Sequence, residues 1–179
     1  GREGLFLNET FLSNLIFNWQ LEALGGFDRV RRICSRCGFS AAVLRLLDDT
    51  AKEAETNGND PAKEAAKDAW AKRFTSTDFA RLNLARALVM NPECLVMHMP
   101  LITFSDEQAK KTLELLRAHI DERGLELPEE GKKFRRPRTV FFSSSALDRC
   151  TLADEVFEVS REHGLRPVPR ESEVRGLTR

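Results

Sequence analysis

The stretch Leu82–Pro100 reads LNLARALVMNPECLVMHMP, and it carries two different periodicities. Leu82, Ala85, Leu88 and Val89 recur at three- and four-residue spacing, which predicts one apolar face of a helix over FARLNLARALVMN. After Asn91-Pro92 the pattern changes: CLVMHM (94–99) is a compact apolar run, as in a buried strand, broken by His98 and closed by Met99 and Pro100. Groups that do chemistry often sit at the carboxyl end of such a strand. His98 and Met99 are therefore the first candidates for a site.

Upstream the chain reads as helical. Phe11, Leu12, Leu15, Ile16 and Trp19 form one stripe, expected to stop at Gly25-Gly26. A second helix is expected from Asp28 to Cys37, ended by Gly38, and Ser40 is placed to cap a third through Val43, Leu44 and Leu47. TNGND (56–60) reads as a loop, and Pro61 opens a fourth helix, PAKEAAKDAWAKRF. FTSTD (74–78) is a polar break rich in capping residues; Ser76 or Thr77 is the expected N-cap, with Asp78 favouring the first turn. Downstream, SDEQAKKTLELLRAHIDERG is a capped helix facing inward through Ala109, Leu113, Leu116 and Ile120. RTVFFSS (138–144) and DEVFEVS (154–160) read as strands. Strand, helix and strand in that order predict a parallel pair. The expected class is α/β: a helical subdomain followed by half of an α/β core.

Composition narrows the function. The chain has 179 residues with 28 basic and 28 acidic side chains, so no net field draws it to nucleic acid or a membrane surface. Its longest apolar stretch, near LVMHMPLITF, is about half of what a membrane span needs. Gly1 to Gly4 leads directly into an amphipathic pattern rather than a signal peptide, and without an initiator methionine the chain is expected to be a piece of a longer polypeptide. Cys34 and Cys37 have a metal-like spacing, but no second CxxC accompanies them. With Phe27 and Val30 they fall at helical spacing, which predicts buried thiols in a reducing compartment.

The order of these motifs resembles the nucleotide-binding domain of exporter-type ABC transporters. There a signature LSGGQ opens a helix ending in LARAL, followed by NP and a Walker B strand ending in DEP. LFLNETFLSNLIF (5–17) looks like the segment after that family's Q-loop, and RPRTVFFSSSALDRCTLADEVFEVSREHG (136–164) looks like its H-loop strand and the strand beyond. The resemblance covers nearly the whole chain, in family order. It implies a partial P-loop NTPase-type sheet, a parallel β-α-β plus a further strand. The implied division is 1–77 for the helical subdomain, 78–168 for the signature helix and core strands, and 169–179 for a tail.

Carried onto this sequence, the resemblance puts the Q-loop glutamine position near Arg2 and the signature at Phe74, Thr75, Ser76, Thr77 and Asp78. The Walker B aspartate position holds His98, the catalytic glutamate position Met99, the D-loop ITFS (102–105), and the H-loop histidine position Ser145. No GxxxxGK[ST] occurs in the 179 residues. Phosphoryl transfer needs Mg²⁺ and a group that steers the attacking water. Mg²⁺ prefers hard oxygen ligands, a thioether takes no proton, and an alcohol carries no charge. One lost electrostatic group commonly costs about 10²–10³ in rate. The expected catalytic set is therefore none, with His98, Met99 and Ser145 as degenerate positions.

At the signature, Ser76 and Thr77 replace glycines that would let a phosphate approach, and Asp78 puts a negative charge there. Thr75 keeps a hydroxyl, and the helix N-terminus still favours an anion. Thr75, Ser76, Thr77 and Asp78 are thus the only nucleotide-contact candidates. The resemblance implies ATP and Mg²⁺ only through a partner, no cofactor bound by this chain alone and no metal ligand. It implies a second nucleotide-binding domain and a transmembrane domain as partners, at the cytoplasmic face of a membrane.

Two alternatives stay open at this point: half of a composite ATP site, or a helical interaction or nucleic-acid-binding module unrelated to transport. KKFRRPR (132–138) is the only stretch suggesting the latter. His119 and His163 lack a second ligand at metal spacing and read as structural.

Overall fold

The computed structural model describes residues 6–55 and 69–168. Arg2, the TNGND loop and the part of the fourth expected helix at 61–68 lie outside the described residues. Among those described, the α-helices are α1 (Phe11–Ile16), α2 (Phe27–Arg36), α3 (Ala41–Glu55), α4 (Ser76–Met90) and α5 (Asp106–Asp121). The strands are β1 (Cys94–Met97), β2 (Thr139–Phe142), β3 (Phe157–Ser160) and β4 (Gly164–Pro167). The fold is mixed α/β.

The chain divides into two compact units, 1–143 and 144–179. The boundary expected at 77/78 falls in the first turn of α4. In the first unit β1 and β2 pair in parallel, Cys94 opposite Thr139 through Met97 opposite Phe142, with α5 between them in the chain. This is the β-α-β unit expected from the sequence. Leu95, Met97 and Val140 pack on the helical core, while Phe142 joins Leu101, Phe104, Ala109 and Leu113. The opposite face is open, with Val96 74% and Phe141 58% exposed.

The further strand proves different from the expectation. In the second unit β3 pairs antiparallel with β4, a strand the sequence reading missed, and the two form a sheet of their own. His163 lies in the tight turn between them, with its N–H donating to Ser160 Oγ at 3.1 Å. Gly164, in the left-handed region at φ 67°, closes that turn.

The helical core is held by two buried arginines. Arg29, 2% exposed, donates from Nε to the Leu125 carbonyl (3.0 Å), from Nη1 to Leu24 (2.6 Å) and Val89 (2.9 Å), and from Nη2 to Leu88 (3.3 Å). Two of these carbonyls belong to the last turn of α4, where helical donors run out; Leu88 also accepts the Asn91 N–H of the C-cap at 3.2 Å. Burial lowers the Arg29 pKa to about 10. Gly25 allows the arginine in: a Cβ there would lie 2.7 Å from Arg29 Cδ.

Arg86 acts at the end of α1. Its Nε donates to the Asn14 carbonyl at 2.6 Å and its Nη2 to Asn14 Oδ1 at 2.7 Å. A continuing α-helix would direct the Asn18 N–H to that carbonyl. Instead Asn18 N–H turns to Ser13 O, and Phe17 and Asn18 adopt φ 49° and 58°. The stripe expected from Phe11 to Trp19 therefore ends at Ile16, and Trp19 is left 57% exposed.

Trp70 behaves as core, 5% exposed, with its Nε1–H on the Glu9 carbonyl at 2.9 Å and its ring among Phe6, Phe11 and Phe74. Residues 69–73 form a turn and a 3-10 turn, so this part of the expected fourth helix is not α-helical. Cys34 and Cys37 are buried as expected. Burial raises the Cys34 pKa to about 12 and holds Cys37 well above the ordinary thiol range.

Replacing Arg29 with alanine should lower the urea unfolding free energy by about 3 kcal/mol or more, because several buried carbonyls lose their donor together. Arg31→Ala, which breaks a half-exposed pair with Asp48, should cost far less, since such surface pairs contribute little. Equal losses would contradict the assignment of Arg29 as the central tie.

His119 on α5 generates a pH test. It is fully buried, its Nδ1 has no hydrogen-bond partner, and burial lowers its pKa. As pH falls below the unfolded value, the unfolded chain binds this proton first, so stability is present above about 6.5 and lost below it. Thermal scans from pH 7 to 5 should show a falling Tm in the wild type and a flatter profile in His119→Gln.

Candidate functional site

β1 delivers its last residues to the end of the parallel pair. Pairing runs one residue past β2, since Ser143 N–H donates to the Met97 carbonyl at 3.1 Å. Met99 then turns with φ 46°, an uncommon conformation for a side-chain-bearing residue. Its N–H donates to Ser143 Oγ at 2.9 Å, and the same oxygen lies 3.0 Å from His98 Nδ1. A hydroxyl accepting from an amide has its own proton to give. Which of Ser143 Oγ and His98 Nδ1 donates is set by the imidazole tautomer. The three groups form one closed local network at the strand end.

That network pairs an imidazole with an alcohol beside a thioether. It contains no carboxylate, and no group of three or more His, Cys, Asp or Glu side chains able to hold a metal ion occurs among the described residues. The sequence singled out Ser145, whereas the residue that reaches His98 is Ser143. Ser145 is an exposed residue of the second unit. Three consecutive serines occupy 143–145, and spacing alone does not distinguish them. The parallel register does, because Phe142 pairs with Met97 and places Ser143 level with His98.

The signature-like segment forms a full capping box. Thr75, one residue before the expected Ser76 or Thr77, is the N-cap of α4. Its Oγ accepts the Asp78 N–H at 3.2 Å, and Asp78 Oδ2 accepts both the Thr75 N–H (3.1 Å) and hydroxyl (2.7 Å). Phe74 packs its ring against Phe11, Trp70 and Phe79, which leaves the cap at 75. Asp78 Oδ1 is also 3.1 Å from Arg81 Nη1. Thr77 Oγ donates to the Thr103 carbonyl at 3.2 Å, joining α4 to the 102–105 segment. The positive end of α4 is thus met by an acid from its own first turn.

The 102–105 segment has its own structural role. Phe104 is buried, and Ser105 caps α5 in a second reciprocal box with Gln108. Most side chains of the basic run 132–138 have partners within the chain, although the Arg135 Nε has none. Arg135 donates to the Pro128 and Glu122 carbonyls, Arg138 to Asn91 Oδ1 and the Arg136 carbonyl, and Arg136 and Lys132 pair with Glu93 and Glu129. Lys133 lies over the exposed ring of Phe134.

Phe17 and Trp19 remain the exposed aromatics beyond α1. Phe17 borders an apolar groove of about 300 Å³ with Asn83, Arg86, Ala87 and Met90. No helix among the described residues is long and apolar enough to cross a membrane. No protein-family model matches the chain, and no curated protein matches it.

Ser143→Ala should release the His98 ring. Long-range ¹H–¹⁵N spectra should show the His98 ring nitrogens shifted in the variant relative to the wild type; identical spectra would contradict the network. Thr75→Ala should cost about 1 kcal/mol through loss of the cap, read by urea denaturation.

Proposed function

We propose that this chain is a degenerate ABC-type nucleotide-binding domain that does not hydrolyse ATP and acts as a structural or regulatory partner. Its partners on this reading are a second ATPase domain and a transmembrane domain at the cytoplasmic face of a membrane. One observation carries the reading. At the end of β1, where the resemblance implies a metal-holding aspartate and a water-steering glutamate, there stand His98 and Met99, with the Ser143 hydroxyl 3.0 Å from the imidazole. Neutral imidazole and thioether are poor Mg²⁺ ligands beside carboxylate. Neither restores the charge that phosphoryl transfer requires.

The composite-site reading is disfavoured by the cap of α4. Thr75, the hydroxyl that would reach a partner's nucleotide, is bonded to Asp78, and the carboxylate sits where a phosphate would come. The nucleic-acid reading is disfavoured by the internal commitments of 132–138. On the favoured reading, the exposed aromatics Phe17 and Trp19 are where a transmembrane partner makes contact, since large aromatics at a subunit surface are common anchors.

Phosphate release from Mg·ATP tests the proposal. The wild-type chain should show none above the spontaneous rate. The triple variant His98→Asp, Met99→Glu, Ser145→His should also stay inactive, because no phosphate-cradling motif is present in these residues. Turnover by the unmodified chain that disappears in His98→Ala would overturn it.

A further inference from the structure

We draw no further inference here: the strongest candidate, the bare face of the β1–β2 sheet that exposes Val96 and Phe141, belongs to the half-sheet already described, and nothing in the structure shows what covers it.

Discussion

The guanidinium of Arg29 is the constraint on which the rest of the first unit depends. It is a fully charged group taken out of water, and no carboxylate shares its hydrogen bonds. What makes this tolerable is the supply of carbonyl oxygens at helix and loop ends, which carry partial negative charge. The arginine ties the end of α4 to the turn before α2 and to the loop after α5. Asn91, in the left-handed conformation, and Pro92 then lead directly into β1. The position of the strand end, and so of His98 and Met99, follows from how α4 is terminated.

Arg86 repeats the principle at the other side of α4. By taking the Asn14 carbonyl it stops α1 and leaves two aromatic side chains facing outward. Both arginines lie in or against the LNLARAL segment, so one short run both builds the helix face and fixes its neighbours. A purely apolar helix at this position could pack, but it would leave the Asn14 carbonyl of α1 without the Arg86 donor.

Several charged and polar groups among the described residues have local partners. Asp78 meets the first turn of its own helix, Ser143 meets His98, and the arginines of 132–138 meet nearby carbonyls and carboxylates. A site evolved to bind a polyanion presents donors that are waiting for it. Here the hydroxyl and amide of Thr75 are already engaged by Asp78.

Much of the architecture was legible in the residues. The periodicity of Leu82, Ala85, Leu88 and Val89, the capping box at Ser105 and Gln108, and the β-α-β order all appear as expected, because each depends on side chains close in sequence. The end of α1 was not legible, since it depends on Arg86 reaching Asn14 across the fold. β4 was missed because Gly164-Leu165-Arg166-Pro167 has little strand character alone; its partner β3 makes it a strand. Ser143 was missed for a related reason, as only strand register separates it from Ser144 and Ser145.

On the proposed reading the end of β1 holds no nucleotide-bound metal. Mn²⁺, a paramagnetic stand-in for Mg²⁺, tests it most directly when titrated with a non-hydrolysable ATP analogue while backbone amide signals are followed. The account expects no saturable broadening at Cys94 through Met99 or at Ser143. Saturable, analogue-dependent broadening centred on His98 and Met99 would contradict it.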